Sequence, residues 1–298
     1  MRFKTGITIR KLILIILTFL YLQSCVDSIP LYQEDGQRKL FVICEMTSGE
    51  DIIADVTFTG SSVGVAPDIL MKPDTFNFAI AEGYKDFGVP FIYDQTSKKF
   101  LIKKQALPLQ TNEIYKFRGI GANKNSSEPN VTIPRAINID TLILENVVRS
   151  TEQGKKITRL DCTIKITPPE VLPAYFHIIP KSENNGIWIV KSVLRDQSAS
   201  KRLNHKDGLL IDYSRLTNNE IHLSLEITET SETNFVDLEL FNTSSSYYQF
   251  NYYISNINSG NYDQNTEIPA IAGFNIKSDK AFGTFSAKTL SKKSVKIK

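Results

Sequence analysis

The sequence predicts an all-β protein: an N-terminal β-sandwich domain followed by a second β-sandwich-like domain, behind a cleavable leader. Three observations predict it. Short β-rich runs recur along the chain at fairly even spacing, with turn residues between them, which is the sequence form of sandwiches. No amphipathic helix of four turns is apparent. The first 24 residues combine a basic start with an apolar core, a pattern that belongs to export rather than to a folded body.

The leader comes first. Arg2, Lys4, Arg10 and Lys11 precede an apolar run from Leu12 to Leu22. A membrane-spanning helix needs roughly 20 apolar residues, and this run is about half that. Leu22-Gln23-Ser24-Cys25 has the form of a bacterial lipobox: a leucine, a small residue before the cut, then the lipid-accepting thiol. Cleavage is expected after Ser24, with acylation at Cys25. Each buried methylene contributes about 0.8 kcal/mol, so several acyl chains hold a protein to a bilayer almost permanently. An uncleaved anchor and a plain signal peptide are the alternatives. The second would usually show Ala-x-Ala before the cut.

Removing residues 1–24 also removes four positive charges and no negative ones, leaving 31 basic against 32 acidic residues. The apparent basicity of the whole chain, +3, belongs to the leader. No excess of positive charge then argues for nucleic acid as a partner.

Residues 25–38 read as a polar tether between lipid and body. The first β domain is expected over 39–134, with strands at Leu40–Cys44, Ile52–Phe58, Phe76–Ile80, Phe100–Ile102 and Ile114–Ile120. Ser48-Gly49, Thr59-Gly60 and Lys72-Pro73-Asp74 supply turn chemistry between them. The polar stretch Ala122–Pro134 reads as a hinge or a crossing loop. The second β domain is expected over 135–298. Its strands are Ile137–Val148, Ile157–Thr167, Ala174–Ile179, Ile187–Val193, Ile221–Thr228, Phe235–Phe241, Tyr247–Ile254 and a pair near Phe274 and Phe282. Asp196–Asp207 reads as an exposed basic loop, and Lys288–Lys298 as a frayed end or edge strand.

Two cysteines remain after Cys25. Cys44 and Cys162 each alternate onto the face of aliphatic neighbours, so both are expected as small buried hydrophobes. A disulfide between them would have to join the two β domains. The histidines His177, His205 and His222 have no partner at metal-ligand spacing, so no metal or cofactor is expected. His177 is expected to be packed and His222 solvated. No Gly-x-Ser-x-Gly elbow or phosphate-binding loop occurs, and the chain is expected to be non-catalytic. A hydrolase assembling carboxylates from separate strands is the least supported reading. Trp188 is expected in the core.

The densest aromatic patch is Tyr247-Tyr248-Gln249-Phe250-Asn251-Tyr252-Tyr253. Read as a strand, it places Tyr248, Phe250 and Tyr252 on the core face. Tyr247 and Tyr253 then fall on the outer face, as candidate contacts for a sugar or a protein. The alternative is a polar sandwich exterior with cross-strand aromatic pairing.

Several segments together resemble a known family. Val26-Asp27-Ser28-Ile29-Pro30 follows the lipobox, and Lys39-Leu40-Phe41-Val42-Ile43 follows the tether. Glu113-Ile114-Tyr115-Lys116-Phe117 precedes Thr132-Ile133-Pro134 and Ile137-Asn138-Ile139-Asp140. The aromatic segment precedes Gly273-Phe274-Asn275-Ile276 and Ala281-Phe282-Gly283-Thr284-Phe285. This order resembles the Bacteroidota outer-membrane lipoproteins of domain-of-unknown-function family 4249. Lys277-Ser278-Asp279-Lys280 departs from it, standing where many relatives are glycine-rich.

The resemblance implies an outer-membrane lipoprotein with an immunoglobulin-like first domain and no established activity. It also implies a gene neighbourhood shared with TonB-dependent transporters. Only Asp27 follows the lipidated cysteine at once, which leaves the cell-surface and periplasmic faces both open. Asp27-Ser28-Ile29 and Asp140-Thr141-Leu142 resemble the O-glycosylation site of this phylum, with Ser28 and Thr141 as acceptors. The expected role is a binding or accessory subunit of a TonB-dependent barrel. A structural or adhesive surface lipoprotein is the alternative.

Overall fold

The computed structural model describes residues 40–58, 78–83, 85, 87–119, 128–184, 186–195, 197–203, 206–258, 274–277 and 281–298. Its elements run β1 (Leu40–Thr47), β2 (Ile52–Phe58), β3 (Ala79–Glu82), β4 (Val89–Pro90), β5 (Ile92–Asp94) and β6 (Lys99–Ile102). β7 (Ile114–Arg118), β8 (Asn130–Thr132), β9 (Ile139–Glu152), β10 (Lys155–Ile166), β11 (Tyr175–Lys181) and β12 (Ile189–Val193) follow. The chain continues through β13 (Ser200–Arg202), β14 (Leu209–Asp212), β15 (Glu220–Glu229), β16 (Phe235–Thr243), the helix α1 (Ser245–Asn258), β17 (Ile276–Lys277) and β18 (Ala281–Lys296). The fold is all-β and sandwich-type.

One ten-stranded sheet, here called the back sheet, has the order β13-β14-β11-β16-β18-β1-β2-β6-β5, with β17 also on β18. Two four-stranded sheets, β4-β3-β7-β8 and β12-β15-β10-β9, accompany it. Leu40, Val42, Cys44 and Met46 alternate inward along β1 because every second side chain of a strand faces one side. With Ile52, Ala54, Phe78, Phe100, Tyr115 and Phe117 they form a first core. A second core joins Leu160, Cys162 and Ile164 of β10, Leu223 and Leu225 of β15, and Val236, Leu238 and Leu240 of β16. The two cores divide near residue 134, yet the chain from Arg38 to Lys298 forms one compact unit.

β18 explains that unity. Its first half pairs in parallel with β1, Cys44 opposite Phe285, and its second half pairs antiparallel with β16, Phe241 opposite Leu290. Phe285 and Ala287 enter the first core, and Val295 packs on the second. Gly283 is required by the parallel pairing. A Cβ there would lie 1.9 Å from the Val42 carbonyl oxygen. The residues after Lys288, expected as a frayed end or edge, therefore complete a central strand. Ladder bonds to β16 hold this segment despite its lysines.

Between the cores the back sheet clasps the connecting segment. Thr289 Oγ1 donates to the Pro134 carbonyl (2.6 Å), and Asn242 Nδ2 donates to that of Arg135 (2.8 Å). Trp188 is buried, its indole N–H donating to the Lys181 carbonyl (3.0 Å). Asp196–Asp207 is not simply an exposed loop. Gln197–Ala199 forms a turn of 3₁₀ helix, β13 pairs with β14, and Ala199 and Leu203 are buried.

Candidate ligand-binding site

The expected strand Tyr247–Ile254 is helix α1, a correction that reassigns every aromatic side chain in it. Ser244 starts it as an N-cap: its carbonyl accepts from Tyr248 N (3.1 Å) and its Oγ from Tyr247 N (3.3 Å). Ser244 Oγ also accepts from Ala287 N (3.0 Å), while Ser246 Oγ donates to the Phe285 carbonyl (2.9 Å). These serines tie the helix start to β18. With 3.6 residues per turn, Tyr247, Phe250 and Asn251 turn inward together, and Tyr248 and Tyr252 line up on one flank.

Tyr247 is thus a buried residue, not a surface contact. Its hydroxyl lies 2.8 Å from His177 Nδ1, and His177 Nε2 lies 2.7 Å from the Asp207 carbonyl. A carbonyl only accepts, so Nε2 carries the proton, and in the neutral ring Nδ1 accepts from Tyr247. Burial pushes His177 down to about 4, assisted by the nearby charges of Lys288 and Lys206. Those two amines lie 5.3 and 5.1 Å from the Tyr247 ring centre and both pair with Glu45. Burial opposes ionisation of Glu45, but the two lysines outweigh it and hold the carboxyl below its usual range. Burial also raises the Tyr247 hydroxyl well above its ordinary value. In this node the Tyr247 hydroxyl, both ring nitrogens of His177 and the Glu45 carboxylate are all engaged by partners within the protein.

Tyr253 is half-buried, with its ring edge toward Phe274 at 6.5 Å. Phe274 in turn packs on Phe41, Phe250 and Phe282. Neither residue expected to meet a ligand does so from an open strand face.

The open flank belongs to the residues assigned to the core. Tyr248 stacks on Tyr175 of β11 at 4.3 Å and on Tyr252 at 5.8 Å. Tyr252 is the most exposed member, at 40%. Lys201 of β13 holds its amine 5.7 Å from the Tyr252 ring centre. Burial, then the charge of Asp212, pushes the Tyr248 hydroxyl up to about 12. Asp212 is engaged locally: Oδ1 accepts from Ser214 N (3.1 Å) and Ser214 Oγ (2.6 Å), and Oδ2 faces Arg215 at 3.4 Å. The result is a ledge of stacked phenols running from β11 onto α1, ending in an exposed ring beside a cation. The triple serine at 244–246 and the four-residue spacing of Tyr248 and Tyr252 were the available signals.

The remaining expected sites fall elsewhere. Ser24, Cys25, Ser28 and His205 lie outside the described residues. Thr141 is exposed on β9, beside Asp140, whose Oδ1 accepts from Thr167 Oγ1 (2.7 Å). Cys44 and Cys162 are buried free thiols in separate cores. Burial raises Cys44 well above its usual value and Cys162 to about 12. His222 is half-buried rather than solvated. Thr163 Oγ1 lies 3.0 Å from its Nδ1, and Arg195 Nη1 3.2 Å from its Nε2. Among the described residues, no three His, Cys, Asp or Glu side chains gather as metal ligands, and no helix is long and apolar enough to cross a membrane. A shallow depression of about 270 Å³ includes Lys181, Glu239 and Lys292, and there Glu239 pairs with both lysines at 2.8 Å.

No protein-family model and no curated protein matches the chain. One similar solved structure is described as "Complete structure of manganese lipoxygenase of Gaeumannomyces graminis and partial structure of zonadhesin of Komagataella pastoris". The likeness covers 87% of this chain and 95% of that one at 11% identity, with a TM-score of 0.19. A likeness that low carries no argument about fold or function.

Proposed function

We propose that this protein is a non-catalytic, lipid-anchored protein of the outer membrane or cell surface, acting as a binding or accessory subunit of a TonB-dependent transporter. The observation that carries the reading is the tyrosine ledge of Tyr248 and Tyr252 on helix α1, stacked on Tyr175 of the back sheet. Aromatic side chains that keep one part exposed and another fixed supply contact area at low entropic cost. The lipobox ending in Cys25 supports the address. Its acyl chains would leave the β body free to reach a barrel in the same membrane.

Two experiments test this. Metabolic labelling with an alkyne fatty acid should mark the wild type and leave Cys25→Ala unmarked. Equal labelling of both would remove the anchor. Mild-detergent purification from native membranes should then bring down a barrel transporter in stoichiometric amount. Recovery of the protein alone, or only with its own copies, would favour the structural or adhesive reading.

A further inference from the structure

The geometry points to an acidic saccharide as the ligand of the ledge, with a uronate ring lying against Tyr252 and its carboxylate met by Lys201. This inference rests on the binding-protein reading and names the ligand class.

Tyr252 offers an exposed ring at the outer end of the stacked phenols. A pyranose has a face of C–H groups that packs on such a ring, while the phenol hydroxyls meet its own hydroxyls. The cation is the discriminating group. Lys201 Nζ stands near the outer limit for a cation–π contact, and none of the ion pairs among the described residues includes it. An exposed contact of that kind is weak, so the amine can swing from the ring to an incoming anion and form a charge-assisted hydrogen bond. Two charges on the neighbouring turn are already engaged. Arg215 is held by Asp212 and by the Ser198 carbonyl (3.1 Å), and the Asp212 carboxylate is occupied by Ser214 and Arg215. Lys201 therefore presents a positive charge directly beside an exposed ring. A uronate carries a C–H face and a carboxylate together, whereas a neutral sugar supplies only the first.

The test is calorimetric titration of the full-length protein in mild detergent with hexamers of galacturonate and of mannuronate, and with xylohexaose as the neutral control. At least one uronate hexamer should bind more tightly than xylohexaose. Lys201→Gln should weaken uronate binding by about tenfold while leaving any xylohexaose binding unchanged, as expected for one charge-assisted bond. Tyr252→Ala should weaken it by about fivefold or more through lost ring contact. Lys201 packs in no core, so its variant keeps the test valid even if Tyr252→Ala unfolds. Absence of uronate binding, equal affinity for xylohexaose, or uronate binding unchanged in Lys201→Gln would each overturn the proposal. Because the titration needs no barrel, a negative result here leaves the transporter association to its own experiment, and the converse holds.

Discussion

The two cores beside the back sheet are built by different means. The first is accompanied by short strands, β3, β4, β7 and β8, of 4, 2, 5 and 3 residues. The second is accompanied by β9, β10 and β15, of 14, 12 and 10 residues. The first core is correspondingly aromatic: Phe78, Phe91, Phe100, Phe117 and Phe285 are linked ring to ring, and Tyr115 is buried in the same cluster. The second is mostly aliphatic, with repeated Ile, Leu and Val around Trp188. Short strands offer few inward positions, so each must bury more area. Long strands reach the same end with many smaller side chains.

The comparison breaks most readily at the shared strand. Phe285→Ala removes a fully buried ring packed 5.5 Å from Phe117. It should cost about 3–5 kcal/mol in urea unfolding. Because β18 serves both cores, hydrogen-exchange protection should fall in β1 and in β16 alike. Leu223→Ala, in the second core only, should cost about 3 kcal/mol and leave β1 protected, which sharpens the contrast.

Acid should act next, at the node joining the halves. His177 is held near 4 against an ordinary 6.5, so the native state favours the neutral ring. Between these values the unfolded chain binds a proton that the native protein does not. Stability from this residue is therefore fully present above pH 6.5 and lost as pH falls toward 4, by up to about 3 kcal/mol. Glu45 acts in the same direction, because acid also removes its pairing with Lys206 and Lys288. The His177 share is the difference between the wild type and His177→Gln, each unfolded by urea at pH 7 and pH 4.5. A wild type with no greater acid loss than the variant would refute it.

Ser244→Ala removes the helix cap and a bond to Ala287 N, and should cost about 1–2 kcal/mol, read by thermal melting. The smallest effect belongs to the exposed face. Lys292→Ala, whose side chain is 64% exposed beside Glu239, should move stability by less than about 1 kcal/mol.

Much of this fold is legible along the chain, because alternation is a local property. β1, β2, β15, most of β10 and the first half of β16 follow the period of two, and Trp188 is buried as expected. Two failures have separate causes. Tyr, Phe and Ile favour strands, so residues 247–254 read as one, while the deciding contribution came from Ser244 capping and the fit of Tyr247 against His177. The lysine-rich end read as an edge because side chains were weighed and backbone partners were not. Its pairing with β16 lies some fifty residues away, and β1 with β18 much further. The candidate site failed with the helix: one change of period exchanged Tyr247 and Tyr253 for Tyr248 and Tyr252.

The shared strand has a consequence for how the protein is made. Leu40 leaves the ribosome long before its neighbour Ala281, and until then one whole edge of β1 has no partner. Neither half can close early, and a topology so dependent on distant contacts folds slowly. For the exported lipoprotein proposed above, which would thread through a translocon unfolded, such delay would be useful. β18 completes both halves and would follow β1 and β16 across, so the body would set into shape only after those strands had passed.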